Sequence, residues 1–250
     1  MLHRALQWVW SELGDSRALR AARDHEIATL ANTMSERALR ETLAQRAMPV
    51  APTMVANEVQ RLAKLITMLL RQELQRAEVA EFSIAQLETT HDYELGGQPI
   101  RVRMDRLDRL DDGRVVVIDY KSGAAESFRP LDERPRQPQI LAYALLAAKT
   151  AAVAGVAAVY LNADQIRWRG AEADAVLPDL ARIRSPAAPW PELLSHWQRV
   201  IHGLVDEFVS GVATVTPLPG SCDYCHLAAL CRIDALGQQQ LSEAEAGDDH

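Results

Sequence analysis

The sequence predicts an α/β protein, one domain with a helical N-terminal lobe. Apolar residues recur at helical spacing through the first eighty residues, and the period then changes to two. From residue 81 onward strand and helix patterns alternate, with no internal repeat and no low-complexity linker. The 250 residues suffice for one large domain or two small ones, and 48% apolar with 24% charged residues is ordinary for a globular chain. That composition excludes intrinsic disorder, a collagen-like repeat and a disulfide scaffold.

Leu2, Leu6, Val9 and Leu13 define the first helix, which Gly14-Asp15 stops. A second helix is predicted over residues 17–34, and Ser35-Glu36 restarts a third. Pro49 and Pro52 break the pattern. The longest helical run, 53–78, carries Val55, Val59, Leu62, Leu65, Ile66, Leu69 and Leu70 as a wide apolar stripe. Strands are predicted over 82–88, 100–110 and 114–121, then an Ala/Leu-rich helix over 137–150. A short buried strand follows at 155–161 and an edge strand at 165–169. Pro186, Pro189 and Pro191 mark a loop before the last long helix, 192–209. The expected organisation is a helical lobe over 1–80, a core over 81–215, a cysteine segment over 216–235 and an acidic tail over 236–250.

No run of about 18 apolar residues is present, so no membrane span is expected. Met1-Leu2-His3-Arg4 has neither a long apolar run nor a cleavage site, so a cytoplasmic chain without a signal peptide is expected. The net charge of -7 argues against a simple electrostatic nucleic-acid binder, yet leaves room for an enzyme with positive charge concentrated in one groove. Part of the acidity sits in the tail, at Glu243, Glu245, Asp248 and Asp249.

Residues 101–121 are the most informative segment. Asp111-Asp112-Gly113 reads as a three-residue hairpin loop with Gly113 in the left-handed position. Leu110 then opposes Arg114, opposed residues have numbers adding to 224, and Asp105 faces Asp119 across the hairpin. Carboxylates opposed on one face, with Cβ atoms about 4.5–5.5 Å apart, repel unless a cation or proton lies between them. Asp119 ends the run Val115-Val116-Val117-Ile118, apolar on both faces, which marks a central strand and makes an uncompensated charge pair expensive. Lys121 projects from the same face as Asp119. Two carboxylates and an ammonium can hold a divalent cation and position a water, the equipment of phosphodiester hydrolysis. Asp108, Asp111 and Asp112 are expected instead to pair with Arg103, Arg106 and Arg109 as surface ion pairs.

The order Met104-Asp105-Arg106, Asp119-Tyr120-Lys121, Gln139-Ile140-Leu141-Ala142-Tyr143 resembles the PD-(D/E)XK nuclease superfamily, specifically its RecB-type nuclease domain. The likeness is close over 87–143. His3-Arg4-Ala5-Leu6 fits that family's N-terminal histidine motif, and Glu88 suits its glutamate on the strand before the hairpin, with Glu81 and Glu94 as competitors. Val102 departs from the pattern, which has glycine three residues before the first aspartate. The resemblance implies a restriction-endonuclease-like core, a mixed central sheet flanked by helices. It implies that His3, Asp105, Asp119 and the Tyr120 carbonyl ligate Mg²⁺ or Mn²⁺. It further implies that Lys121 orients the attacking water, while Gln139 and Tyr143, four apart on one helix face, point at the site and the DNA backbone.

Cys222-x-x-Cys225-x-x-x-x-x-Cys231 resembles the C-terminal part of the iron–sulfur staple in RecB-type nucleases. There the fourth cysteine lies upstream of the histidine helix. The expectation is therefore a C-terminal fragment of a longer protein, with a [4Fe–4S] cluster in the full-length protein and none in this chain. A zinc knuckle with His226 and plain buried thiols are the competing readings. Trp8 and Trp10 near His3, like Trp168, Trp190 and Trp197, are expected to pack in the core. The function implied is a Mg²⁺-dependent DNA exonuclease of repair or recombination, nucleoid-associated and partnered by a helicase. The alternatives are a non-catalytic DNA-binding or scaffold module and a hydrolase of another phosphoester.

Overall fold

The computed structural model describes residues 1–46, 50–123, 125–162, 165–178, 188–223 and 225–232. They divide into two compact units, the first running from Met1 to Val205 and the second beginning at Asp206.

The first unit opens with four helices, α1 (Leu2–Leu13), α2 (Ser16–Ala21), α3 (Asp24–Arg46) and α4 (Pro52–Val79). Asp15 caps α2 by accepting the Ala18 N–H at 2.7 Å. The expected helix over 17–34 is divided, because Ala22 is extended with ψ 134°. The expected restart at Ser35 does not occur; α3 runs through it. The Ser35 hydroxyl donates to the Ala31 carbonyl at 2.7 Å, so the serine is accommodated inside the helix rather than capping a new one. Pro52 starts α4 near its N-terminus, where a missing N–H costs nothing. Pro49 and Pro186 and the acidic tail lie outside the described residues.

The strands are β1 (Phe82–Leu95), β2 (Gln98–Leu110), β3 (Val115–Lys121), β4 (Val153–Asn162) and β5 (Gln165–Glu172), in spatial order β1-β2-β3-β4-β5. β3 is central and fully apolar through Ile118, as its sequence predicts. β1 is twice the expected length, because Gly96 and Gly97 both take positive φ (56° and 75°) and close a tight hairpin with β2. That dipeptide was a legible turn signal. β3 and β4 run parallel across the crossover helix α5 (Pro138–Ala147); the other neighbours are antiparallel.

Alternation along β3 separates two cores. Val116, Ile118 and Tyr120 pack with Leu6, Val9 and Trp10 of α1 and Leu62, Leu65, Ile66 and Leu69 of α4. Val115 and Val117 pack on the opposite face with Ile140, Tyr143 and Ala144 of α5 and Leu193 and Trp197 of α6 (Trp190–Val209). Trp10, Trp168 and Trp197 are fully buried core residues, whereas Trp8 is half-buried between the guanidinium groups of Arg4 and Arg37.

The first core also holds charge. Arg106 donates to both oxygens of Asp108 (2.6 and 2.8 Å), to Glu73 (2.6 Å) and to the Tyr120 hydroxyl (3.0 Å), and lies 3.8 Å over the Trp10 ring. Arg76 reaches Asp108 at 2.5 Å, Glu73 at 3.1 Å and the Val176 carbonyl at 2.9 Å. This corrects the expectation for Asp108, which is no surface partner but fully buried with Arg106. The sheet face that carries Leu110 also carries Asp108 and Arg106, and α4 lays Glu73 and Arg76 over it at the continuation of its apolar stripe. Asp111 and Asp112 do sit at the surface, but their partners are Arg17 and Arg114 rather than the expected Arg103, Arg106 or Arg109.

The second unit begins in the last turn of α6 and carries a one-turn helix, α7 (Ala228–Cys231). Cys222 and Cys225 are exposed and Cys231 half-buried, all free thiols, and His226 is exposed. The reading of buried thiols therefore does not hold for Cys222 and Cys225. No described helix is long and apolar enough to cross a membrane.

Candidate active site at the opening of the β2–β3 ladder

β2 and β3 pair from Arg109↔Val115 to Arg106↔Ile118, the predicted register, with Leu110 N–H donating to the Arg114 carbonyl at 2.8 Å. Gly113 takes φ 85° and closes the loop. One step beyond Arg106 the ladder stops. There the Asp105 carboxylate accepts the Tyr120 N–H at 2.8 Å, where the Met104 carbonyl would otherwise stand. Because N–H and C=O of a strand residue point the same way, the Tyr120 carbonyl also faces the gap between the strands.

Five elements deliver side chains to this gap. α1 brings His3, whose Nδ1 lies 3.6 Å from Asp105 Oδ1 and whose ring meets Tyr120 edge-on at 6.3 Å. The helix is pinned two turns further on, where Trp10 Nε1 donates to the Tyr120 hydroxyl at 3.0 Å. β1 brings Glu88. The side-chain donors of His3, Glu88 and Asp105 lie within 4.8 Å of one another. The competitors are elsewhere: Glu81 pairs with Arg17 and Arg20, and Glu94 lies near the far hairpin turn.

Glu88 stands in the left-handed region, φ 49°, just past a bulge between Ile84 and Gln86. For a residue with a Cβ that conformation costs about 1–2 kcal/mol. Glu88 is paired with Arg103, whose guanidinium is open to solvent, and the strength of such a pair is reduced by screening. The pair alone does not account for the strain, and such strain collects where a side chain must be aimed.

β3 contributes Asp119 and Lys121. Asp119 Oδ2 is 2.7 Å from Lys121 Nζ, but this buried oxygen has no well-directed hydrogen bond. Burial pushes the Asp119 carboxyl up from its ordinary value; Lys121 opposes this and the Asp105 charge adds to it. The His3 imidazole is also raised, by Asp105 beside it and against the effect of burial. α5 completes the site: Lys121 donates to Gln139 Oε1 (2.8 Å), Gln139 Nε2 to the Tyr143 hydroxyl (2.5 Å), and that hydroxyl to the Arg103 carbonyl (2.6 Å).

The expected residues thus converge, with one difference of detail. Among the described residues Glu88, rather than Asp119, shares a potential ligand group with His3 and Asp105, while Asp119 lies against Lys121. A carboxylate-rich set with one imidazole, beside a buried carboxylate oxygen lacking a directed partner, fits a hard divalent cation. Sequence reasoning missed Arg103 as the partner of Glu88 and missed the buried cluster behind Tyr120. The cluster had a signal: Glu73 and Arg76 fall in phase with the apolar stripe of α4.

A mixed five-stranded sheet flanked by helices, with acids and a lysine at the parting of a hairpin, defines a restriction-endonuclease-like α/β protein. The chain belongs to the PD-(D/E)XK nuclease superfamily, whose sequence profile matches residues 1–232. Members of that superfamily are generally metal-dependent nucleases. A solved structure titled "Crystal structure of SSO0001" is similar over 80% of this chain and 79% of its own, at 18% identity and a TM-score of 0.36. No curated protein matches the sequence.

Proposed function

We propose that the protein is a Mg²⁺- or Mn²⁺-dependent deoxyribonuclease that hydrolyses phosphodiester bonds, acting on DNA ends as an exonuclease in repair or recombination. The observation that carries this reading is the convergence of His3, Glu88, Asp105, Asp119 and Lys121 where the β2–β3 ladder opens. His3, Glu88, Asp105, Asp119 and the Tyr120 carbonyl would hold the cation. Bound there, it would supply Lewis acidity to the scissile phosphate and lower the pKa of water. Lys121, held by Gln139, would orient the attacking water and offset phosphate charge. Gln139 and Tyr143 fix that lysine and the β2 backbone. The RecB-like order of motifs supports a helicase as partner. The Cys222-x-x-Cys225-x-x-x-x-x-Cys231 spacing supports an iron–sulfur ligand role completed by a fourth cysteine.

The test is a cleavage assay on linear and circular DNA with Mg²⁺, Mn²⁺ or EDTA. Divalent-dependent loss of linear DNA, absent in Asp119→Asn, is expected. Cleavage that persists in EDTA or in Asp119→Asn rejects the assignment, and equal attack on closed circles rejects the exonuclease part.

A further inference from the structure

Glu88 belongs to two groupings at once. One of its oxygens receives both Nε and Nη2 of Arg103, and its carboxylate also lies in the ligand group with His3 and Asp105. A divalent cation that draws on this carboxylate weakens its hold on the guanidinium. The two partners are unequal: the Glu88 side chain is 6% exposed and the Arg103 side chain 62%. The acid is aimed inward by its own left-handed backbone, whereas the guanidinium reaches it from solvent. Arg103 is therefore the partner free to leave. Its main chain stays fixed, because its carbonyl accepts the Tyr143 hydroxyl. A released guanidinium would swing about an anchor at the rim of the site. The other β2 arginines are committed elsewhere: Arg101 to Asp92, Arg106 to the buried cluster, and Arg109 at the opposite end of the strand. In a chain of net charge -7, a cation freed beside the acids is worth most to an anionic substrate.

We propose that Arg103 is a metal-released phosphate clamp: Glu88 holds it until a divalent cation takes that carboxylate, and the freed guanidinium then binds a backbone phosphate of the substrate. A guanidinium suits this task through its fork of donors. The inference rests on the nuclease reading of the site. It couples the two ligands, since metal binding raises DNA affinity by freeing a cation, and DNA must raise metal affinity equally.

Arg103→Gln separates this from a merely structural ion pair, because it moves two affinities in opposite directions. Without DNA, Mn²⁺ binding followed by titration calorimetry should tighten about two- to fivefold, the worth of an exposed ion pair removed as competitor. Binding of a phosphorothioate oligonucleotide, which resists hydrolysis, should weaken in Mn²⁺, with the slope of log affinity against log salt shallower by about 1. In EDTA, where Glu88 holds Arg103, the loss should be smaller than in Mn²⁺. Glu88→Gln, which releases Arg103 without metal, should bind the oligonucleotide more tightly in EDTA, and Glu88→Gln/Arg103→Gln should lose that gain. Unchanged or weaker Mn²⁺ binding by Arg103→Gln, or the same loss of DNA affinity in EDTA as in Mn²⁺, overturns the clamp. If the wild type binds no Mn²⁺, the nuclease reading itself falls; if it binds and cleaves while Arg103→Gln behaves as wild type, only the clamp falls.

Discussion

The Asp105 carboxylate accepts the main-chain N–H of Tyr120 at 2.8 Å, replacing a ladder bond with a side-chain one. One oxygen thereby holds β2 and β3 at a fixed separation while the other faces His3. The same tyrosine is tied on the other side of the sheet, its hydroxyl taking Trp10 Nε1 and Arg106, each at 3.0 Å. Tyr120 thus links the buried charge cluster to the acids at the ladder opening.

Asp105→Asn keeps an oxygen for the Tyr120 N–H, so the fold should survive while His3 loses its anionic partner. The His3 pKa, raised in the wild type by that partner, should fall toward its ordinary 6.5 when followed by proton NMR of the imidazole. Cleavage should drop by at least about 10²-fold. An unchanged His3 titration would show that Asp105 does not set its charge.

Protonated His3 contributes stability that is full below pH 6.5 and fades as pH rises through its raised value. A cation needs the neutral imidazole, so Mn²⁺ affinity and cleavage should both climb as pH rises through that same value. His3→Ala should flatten this rise. A pH profile identical to the wild type in His3→Ala would remove the histidine from the metal site.

Asp119 is held above its ordinary 3.8, chiefly by burial, so the native state binds this proton more tightly than the unfolded chain. Ionising it costs stability, and the cost is fully felt once pH has risen past the raised value. Asp119→Asn removes that cost, and Lys121, part-exposed, can hydrate. At pH 7 in EDTA the variant should melt at or above the wild type, with the difference shrinking toward pH 4. The rise in Tm that Mn²⁺ gives the wild type should be lost. A variant melting well below the wild type at pH 7 would mean that the Lys121 ion pair outweighs burial.

Tyr120→Phe leaves the Trp10 N–H and one Arg106 donor without their buried acceptor, a cost of about 1–3 kcal/mol. Arg106→Met strips Asp108 and Glu73 of a buried cation and should cost more, about 3–5 kcal/mol. Urea melts of both proteins measure the order. Equal stability of Arg106→Met and wild type would show the cluster to be replaceable by apolar packing.

Much of this was legible in the chain. A hairpin has one degree of freedom, its register, and Asp111-Asp112-Gly113 sets it, so the opposition of residues adding to 224 follows locally and the observed pairs obey it. The uninterrupted Val115–Ile118 run marks a strand covered on both faces, and β3 is the central one. Gln139 and Tyr143 share a helix face by spacing alone, and they are hydrogen-bonded.

What the tertiary structure decided depends on contacts distant in sequence. Arg106 and Asp108 sit in the same local pattern as the surface pairs of Asp111 and Asp112. They are buried because α4 lays Glu73 and Arg76 over that face of the sheet. Glu88 was preferred to Glu81 and Glu94 only through the family resemblance, since nothing local reveals a bulge and a left-handed residue on β1. The meeting of His3 with Asp105 depends on where α1 docks, which the Trp10–Tyr120 bond across 110 residues helps to set. The chain by itself determined most of its elements, the hairpin register and the kinds of residue at the site, because these follow from periodicity and turn geometry; the break at Ala22 and the length of β1 were not among them. Which acids converge, and which charges are buried, was decided by packing, because burial and charge proximity arise only when distant segments share one space.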